Sequence, residues 1–214
     1  MNALEKWCKR WFVALNPLKS QLVIFTKCPR HKKEIEDINP KVKLFGQNIP
    51  IIAEANFLGV IFDTRLTWGS QFAKMTAKAY KRLNIIRHFA SLSSKPNPNT
   101  LIRLYRAILQ PIFEYGSLCY INAAEVHMEK LQLIQNQALR VVMQSPRYTS
   151  IKDLHDCTGT SHVKNHLVKH AENRLQMMRK NSPLIQSVVT EYQALRHIKE
   201  NASPLDVLAN QRQD

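Results

Sequence analysis

A chain of 214 residues with 44% hydrophobic content is long enough for a packed core and too apolar for wholesale disorder. Its 31 Lys+Arg against 16 Asp+Glu give a formal charge of +15, which points to a polyanionic partner, nucleic acid before an acidic membrane. Only 5 Gly argue against an all-β fold of many tight turns, and no stretch approaches the roughly 20 apolar residues that span a bilayer.

The first element expected is a helix, since Leu4, Trp7, Cys8, Trp11 and Leu15 recur at helical spacing until Asn16-Pro17 breaks the run. Trp7 and Trp11 fall at stripe positions and read as core, as does Trp68. This N-terminal stretch has neither an uninterrupted apolar run nor a cleavage-type site, so it is not a secretory signal. Leu22 to Phe25 reads as a short buried strand. A charge-rich connector follows from Lys27 to Pro40. Val42 to Phe45 and Ile49 to Ile52 are expected to form a hairpin around a turn at Gly46-Gln47-Asn48. Phe57 to Phe62 is a further β segment, closed by Asp63-Thr64-Arg65.

From residue 69 the pattern is helical almost throughout. Thr67 is the expected N-cap of a helix striped by Phe72, Met75, Ala79, Leu83, Ile86 and Ala90. After a loop at 91–99, Thr100 is expected to cap a helix with Leu101, Leu104, Ile108 and Ile112 inward. A third helix spans about 124–143 and buries Met128, Leu131, Ile134, Ala138 and Val141; Ser145-Pro146 ends it. A short helix begins near Ser150, another covers 161–180, and Ser182-Pro183 starts a last one carrying Leu184, Val188, Tyr192 and Leu195. The fold class is therefore α+β. Residues 1–68 hold short antiparallel strands, residues 69–160 a mainly helical bundle, and residues 161–214 a helical extension.

The charge is not spread evenly. No acidic residue occurs between Asp63 and Glu114, an interval that holds Arg65, Lys74, Lys78, Lys81, Arg82, Arg87, Lys95, Arg103 and Arg106. Lys74, Lys78, Lys81 and Arg82 share a face opposite the Phe72/Met75/Ala79 stripe. Solvated helix faces usually mix both signs; this one does not, which suits a phosphate backbone.

Three segments in order resemble one family. They are Trp11-Phe12-Val13-Ala14-Leu15-Asn16-Pro17-Leu18-Lys19-Ser20, running into Leu22 to Phe25; Phe57-Leu58-Gly59-Val60-Ile61-Phe62-Asp63 with Leu66-Thr67-Trp68; and Leu104-Tyr105-Arg106-Ala107-Ile108-Leu109-Gln110-Pro111-Ile112-Phe113-Glu114-Tyr115-Gly116. Together they resemble the C-terminal part of the reverse transcriptase of non-LTR, jockey-like retrotransposons, over roughly residues 1–160. The resemblance implies a palm remnant (1–68) holding motif D and the primer-grip hairpin, motif E, then a thumb-like bundle (69–160). It implies RNA-directed DNA polymerase activity for the parent, a template–primer duplex as partner, and contacts to an upstream palm and fingers. Phe57, Leu58, Gly59, Val60, Lys74, Lys78, Lys81, Arg82, Arg103 and Arg106 become the expected nucleic-acid-binding residues. Lys19 matches the position of a general acid for departing pyrophosphate; its other reading is an exposed strand-edge lysine.

The parent chemistry needs Mg²⁺ held by converging carboxylates. This chain has no Asp-Asp pair, and its one tight acidic cluster, Glu34-Glu36-Asp37, reads as a solvated loop. No cofactor is expected on this chain, and catalysis by it alone is not expected. Cys157, His162, His166 and His170 suggest Zn²⁺ by residue type, but their spacing matches no knuckle, so surface or interhelical histidines are the expectation. Cys28-x2-His31 is half a site without a second half. The four cysteines, Cys8, Cys28, Cys119 and Cys157, form no CxxC pair, so free thiols, an intracellular location (nucleus or cytoplasm) and no membrane are expected. Two alternatives stay open: a stand-alone basic helical nucleic-acid-binding protein derived from such an element, and a helical protein-interaction module. Either way, residues 1–68 would leave a sheet edge unpaired, so the isolated chain is expected to associate.

Overall fold

The computed structural model describes residues 2–26, 41–92 and 96–187. The connector with Cys28, His31 and the Glu34-Glu36-Asp37 cluster, Lys95, and the part of the expected last helix from Val188 onward lie outside them. Cα packing divides the chain into Met1–Gln71 and Phe72–Asp214.

In the first unit, α1 (Asn2–Trp11) ends earlier than its apolar run suggests. Phe12 takes the left-handed region (φ 54°) and the Val13 N–H returns to the Cys8 carbonyl at 3.0 Å. That is a helix-ending turn of the kind glycine normally closes. Cys8 is buried, but Trp7 and Trp11 are 51% and 61% exposed, contrary to the core placement expected for them. The apolar arc of α1 is wider than its described neighbours cover, so only the Cys8 edge of it is enclosed. Glu5 Oε1 accepts from the Phe45 N–H at 2.8 Å, tying α1 to the first hairpin.

That hairpin pairs β1 (Lys43–Leu44) with β2 (Gln47–Asn48), antiparallel, around Phe45-Gly46. Its turn lies one residue earlier than Gly46-Gln47-Asn48, because φ is positive at both Phe45 (49°) and Gly46 (81°), as a tight two-residue connection demands. β3 (Glu54–Phe57) and β4 (Val60–Asp63) form a second antiparallel hairpin in register Phe57↔Val60 to Glu54↔Asp63. The single β segment read over Phe57 to Phe62 is thus folded back on itself at Leu58-Gly59. Leu22 to Phe25 is not a strand of a sheet either. It makes one parallel bridge, Leu22↔Ile51, with Ile52 N–H to Leu22 O at 2.9 Å. Phe62 stacks edge-on to Phe25 and Trp68, and Trp68 is buried as expected.

The second unit is helical. In α2 (Gly69–Ala90), Phe72, Met75, Ala79, Leu83 and Ile86 are at most 4% exposed, as the stripe requires. Thr67 does not cap it: the Thr67 and Trp68 N–H groups bind the Asp63 carboxylate instead. In α3 (Pro98–Ile108) the cap is Asn97, whose side chain accepts from Asn99 N, and not Thr100. Asn at N-cap with Pro following outranks a threonine three residues on. The inward face of α3 is Leu101, Ile102 and Tyr105, continued by Leu109 at the junction and by Ile112 and Phe113 of α4 (Gln110–Glu114). Leu104 and Ile108 are only half-buried, one step off the expected stripe.

Gly116, at φ 72°, turns the chain into α5 (Ser117–Tyr120). The central helix α6 (Glu125–Val142) buries Met128, Leu131, Ile134, Ala138, Leu139 and Val142; Val142 takes the place expected of Val141. It packs against α3, α7 (Ile151–Thr158) and α8 (Val163–Asn181). Residues 183–187 are again helical. Two small antiparallel hairpins and a helical bundle match the expected α+β class.

Candidate nucleic-acid interface

The candidate surfaces lie one on each unit. On the first, the Leu58-Gly59 turn has φ of 48° and 85° at its two central positions. Glycine adopts that region freely; for a leucine each such residue costs about 1–2 kcal/mol. Phe57 and Leu58 are 65% and 75% exposed, while Val60 is buried and supports the turn from within. The tip therefore presents two apolar side chains and a glycine backbone that a ligand can approach closely.

The base of this hairpin is held by Asp63. Its Oδ2 accepts from the Thr67 N–H (2.8 Å) and hydroxyl (2.9 Å), and its Oδ1 from the Trp68 N–H (2.9 Å). Burial raises its pKa, but these hydrogen bonds outweigh burial and hold the carboxyl below its ordinary range. Gln71 Oε1 accepts from the Ile61 N–H at 2.9 Å. Asp63 was read only as the end of a strand; an acid six residues before the helix start at Gly69 was the available signal. Lys19 sits in a 3-10 turn, Pro17–Lys19, capped by Asn16, with its side chain exposed.

On the second unit, Lys74, Lys78, Lys81 and Arg82 are all exposed along α2. Among the described residues no carboxylate pairs with Lys78, Lys81 or Arg82. Ile85 and Phe89, 37% and 44% exposed, continue the same face, within an arc of about 100° at 100° per residue. The helix thus offers cations first and an apolar ridge after them, a combination that follows phosphates and lies against sugars or bases. Arg103 and Arg106 of α3 are exposed too, and Arg106 Nη2 donates to the Thr158 carbonyl at 3.2 Å.

The histidines do not converge on a metal site. His166 Nε2 and Gln110 Nε2 both reach Glu114 Oε1 at 2.7 Å, while His170 Nε2 lies 4.0 Å from Glu114 Oε2. Burial raises the Glu114 pKa; the hydrogen bonds from Gln110 and His166 and the two imidazole charges lower it further than that, to a net fall. His162 stacks on His155 at 4.3 Å, away from this cluster, and Cys157 is exposed. Among the described residues no group of three or more His, Cys, Asp or Glu could hold a metal ion. The residues described here therefore do not fit a two-metal polymerase centre.

A polar network missed in the sequence docks α7 and α8 onto α6. Gln135 Nε2 donates to Tyr105 Oη (3.0 Å) and the Ser161 carbonyl (3.1 Å). Gln132 Oε1 accepts from the Val163 N–H at 2.8 Å, and its amide reaches Asn136 Oδ1 at 2.8 Å. His155 Nδ1 lies 2.6 Å from the Thr160 carbonyl, so Nδ1 carries the proton. Burial pushes the Tyr105 hydroxyl up to about 12.

Comparison with known proteins now bears on these surfaces. The chain is 25% identical over 199 residues to a probable RNA-directed DNA polymerase from transposon BS of Drosophila melanogaster, covering 93% of this chain and 21% of that protein. It is 27% identical over 169 residues to a probable RNA-directed DNA polymerase from transposon X-element of the same species, covering 78% of this chain and 18% of the relative. The chain is similar to RNA-directed DNA polymerases of Drosophila transposons. The RNA-directed DNA polymerase from mobile element jockey of Drosophila funebris matches at 25% over 154 residues, 72% of this chain and 16% of the relative. The chain thus spans about a fifth of the length of these polymerases or less. No protein-family model and no solved structure matches it. No described helix is long and apolar enough to cross a membrane.

Proposed function

We propose that this chain is the template–primer-gripping portion of a retrotransposon reverse transcriptase, with Met1–Gln71 as the edge of a palm and the following helices as a thumb. The observation that carries this reading is the α2 face of Lys78, Lys81 and Arg82. It is single-signed, exposed, without a described acidic partner, and backed by a fully buried apolar stripe. A rigid helix with such a face binds the sugar–phosphate backbone without reading sequence, as a polymerase that copies any template requires. The strained, exposed Phe57-Leu58-Gly59 tip serves as the primer grip, its Asp63-pinned base fixing where the tip points.

The residues described here orient and hold nucleic acid; the metal-dependent chemistry belongs to carboxylates elsewhere in the parent polymerase. Upstream palm and fingers are the proposed protein partner. Supporting this, Phe12, Leu18, Trp11 and Trp7 of the first unit are 97%, 85%, 61% and 51% exposed, an apolar area a neighbouring domain would cover.

The test is fluorescence anisotropy of the full chain with RNA–DNA duplexes of unrelated sequence. The proposal expects equal affinities across sequences and at least a tenfold loss for K78Q/K81Q/R82Q. No binding, or loss-free binding by the triple variant, would refute it. Adding the upstream palm of a jockey-type polymerase should raise affinity and suppress self-association of the isolated chain.

A further inference from the structure

The last turns of α2 and α6, and the loop after α6, bring three guanidinium side chains to one place. Arg87, Arg140 and Arg147 line a pocket of about 710 Å³ with Gln137, Gln144 and Ser145. No described residue lining it is acidic. Three like charges sharing a pocket repel one another unless an anion enters. Arg87 is held in place, with Nη1 to Asn84 Oδ1 at 3.0 Å and Nη2 to Gln137 Oε1 at 3.1 Å. Arg140 is different: its Nε is buried and has no hydrogen-bond partner. A buried charged donor left unpaired is costly, so the arrangement lacks an acceptor.

The backbone explains how Arg147 joins. Gln144 takes the left-handed region (φ 51°), and the Ser145 N–H closes on the Arg140 carbonyl at 3.0 Å, turning the chain at the end of α6. Attraction to helix C-termini accounts for one cation on each helix. It does not account for a third from the loop, nor for the orphan Nε. A planar guanidinium donates in a fork that matches phosphate oxygens, and the Gln and Ser side chains add neutral donors.

We propose that this pocket binds a phosphate group of a nucleic-acid backbone. It lies on a different side of α2 from Lys78 and Arg82, and would hold the duplex at a second point. The nucleic-acid source rests on the function proposed above; the oxyanion chemistry does not.

The test uses the full chain and the exposed-site variants R147Q and R87Q, with R140K as a charge-preserving check on the fork. Melting with inorganic phosphate is compared with chloride at matched ionic strength, and duplex affinity is followed against salt. The proposal expects phosphate to raise the melting temperature of the wild type and to do so less in each variant. It expects R147Q to flatten the salt slope by about 0.9, one phosphate's worth. If the wild type binds duplex and R147Q and R87Q keep its slope, the pocket proposal is overturned while the gripping function stands. If the wild type binds no duplex yet phosphate still stabilises it only with the pocket intact, the nucleic-acid assignment is overturned along with that function, leaving a free-phosphate site.

Discussion

Asp63 and Thr67 are joined twice: one carboxylate oxygen accepts both the backbone N–H and the hydroxyl of the threonine, at 2.8 and 2.9 Å. This link connects the end of β4 to the start of α2. D63A should cost about 1–2 kcal/mol, the usual loss for a helix-start acceptor, and T67V clearly less, since only the hydroxyl goes. Urea denaturation of the two variants checks the order.

The same carboxylate gives a pH dependence. Its folded pKa lies below the ordinary value, so its contribution is complete above the unfolded pKa and is lost as pH falls through the folded one. Glu114 behaves alike, its pKa lowered beside His166 and His170. E114Q should therefore be less stable than wild type at pH 6, and the gap should close on acidification below the carboxylate range. A gap that stays constant with pH would show that Glu114 acts through packing alone. Chemical denaturation at a series of pH values reads the difference.

The buried amide of Gln135 bridges α3, α6 and the loop before α8. Q135L leaves the Tyr105 hydroxyl, 1% exposed as a residue, without its partner and should cost about 1–3 kcal/mol. Y105F removes the orphan, while Gln135 keeps its bond to the Ser161 carbonyl. The double variant Q135L/Y105F should then be more stable than Q135L alone, as calorimetry will show.

Leu58 sits where asparagine is favoured, at the first position of a tight turn with φ 48°. L58N should relieve about 1 kcal/mol of strain, raising the melting temperature by roughly 2–4 °C. If the tip grips a primer, the same change should weaken duplex binding. G59A should lower stability at an unfavourable φ of 85°.

What the amino-acid pattern disclosed tracks the range of the forces involved. The stripe of α6 was legible because Met128, Leu131, Ile134 and Ala138 repeat within one helix, and all four are buried. Turn positions were harder. Phe45-Gly46 and Leu58-Gly59 each place a bulky residue in left-handed backbone, which residue preference argues against and pairing register imposes. Trp7 and Trp11 were misplaced because periodicity tells which residues share a face, not whether anything covers it. The Tyr105–Gln135 bond joins positions 30 apart, and His166 meets Glu114 across 52 residues, so neither leaves a local signal. The basic face of α2 was readable from charge alone; the Arg87/Arg140/Arg147 pocket needed two helix ends to meet.

The most direct measurement is the affinity of the full chain for an RNA–DNA duplex as a function of salt, beside K78Q/K81Q/R82Q. If α2 follows the phosphate backbone, log K falls linearly with log salt, and the triple variant's slope is shallower by about 2 to 3, one phosphate per cation removed. Equal slopes for the two proteins, or a wild-type affinity indifferent to salt, would contradict the account.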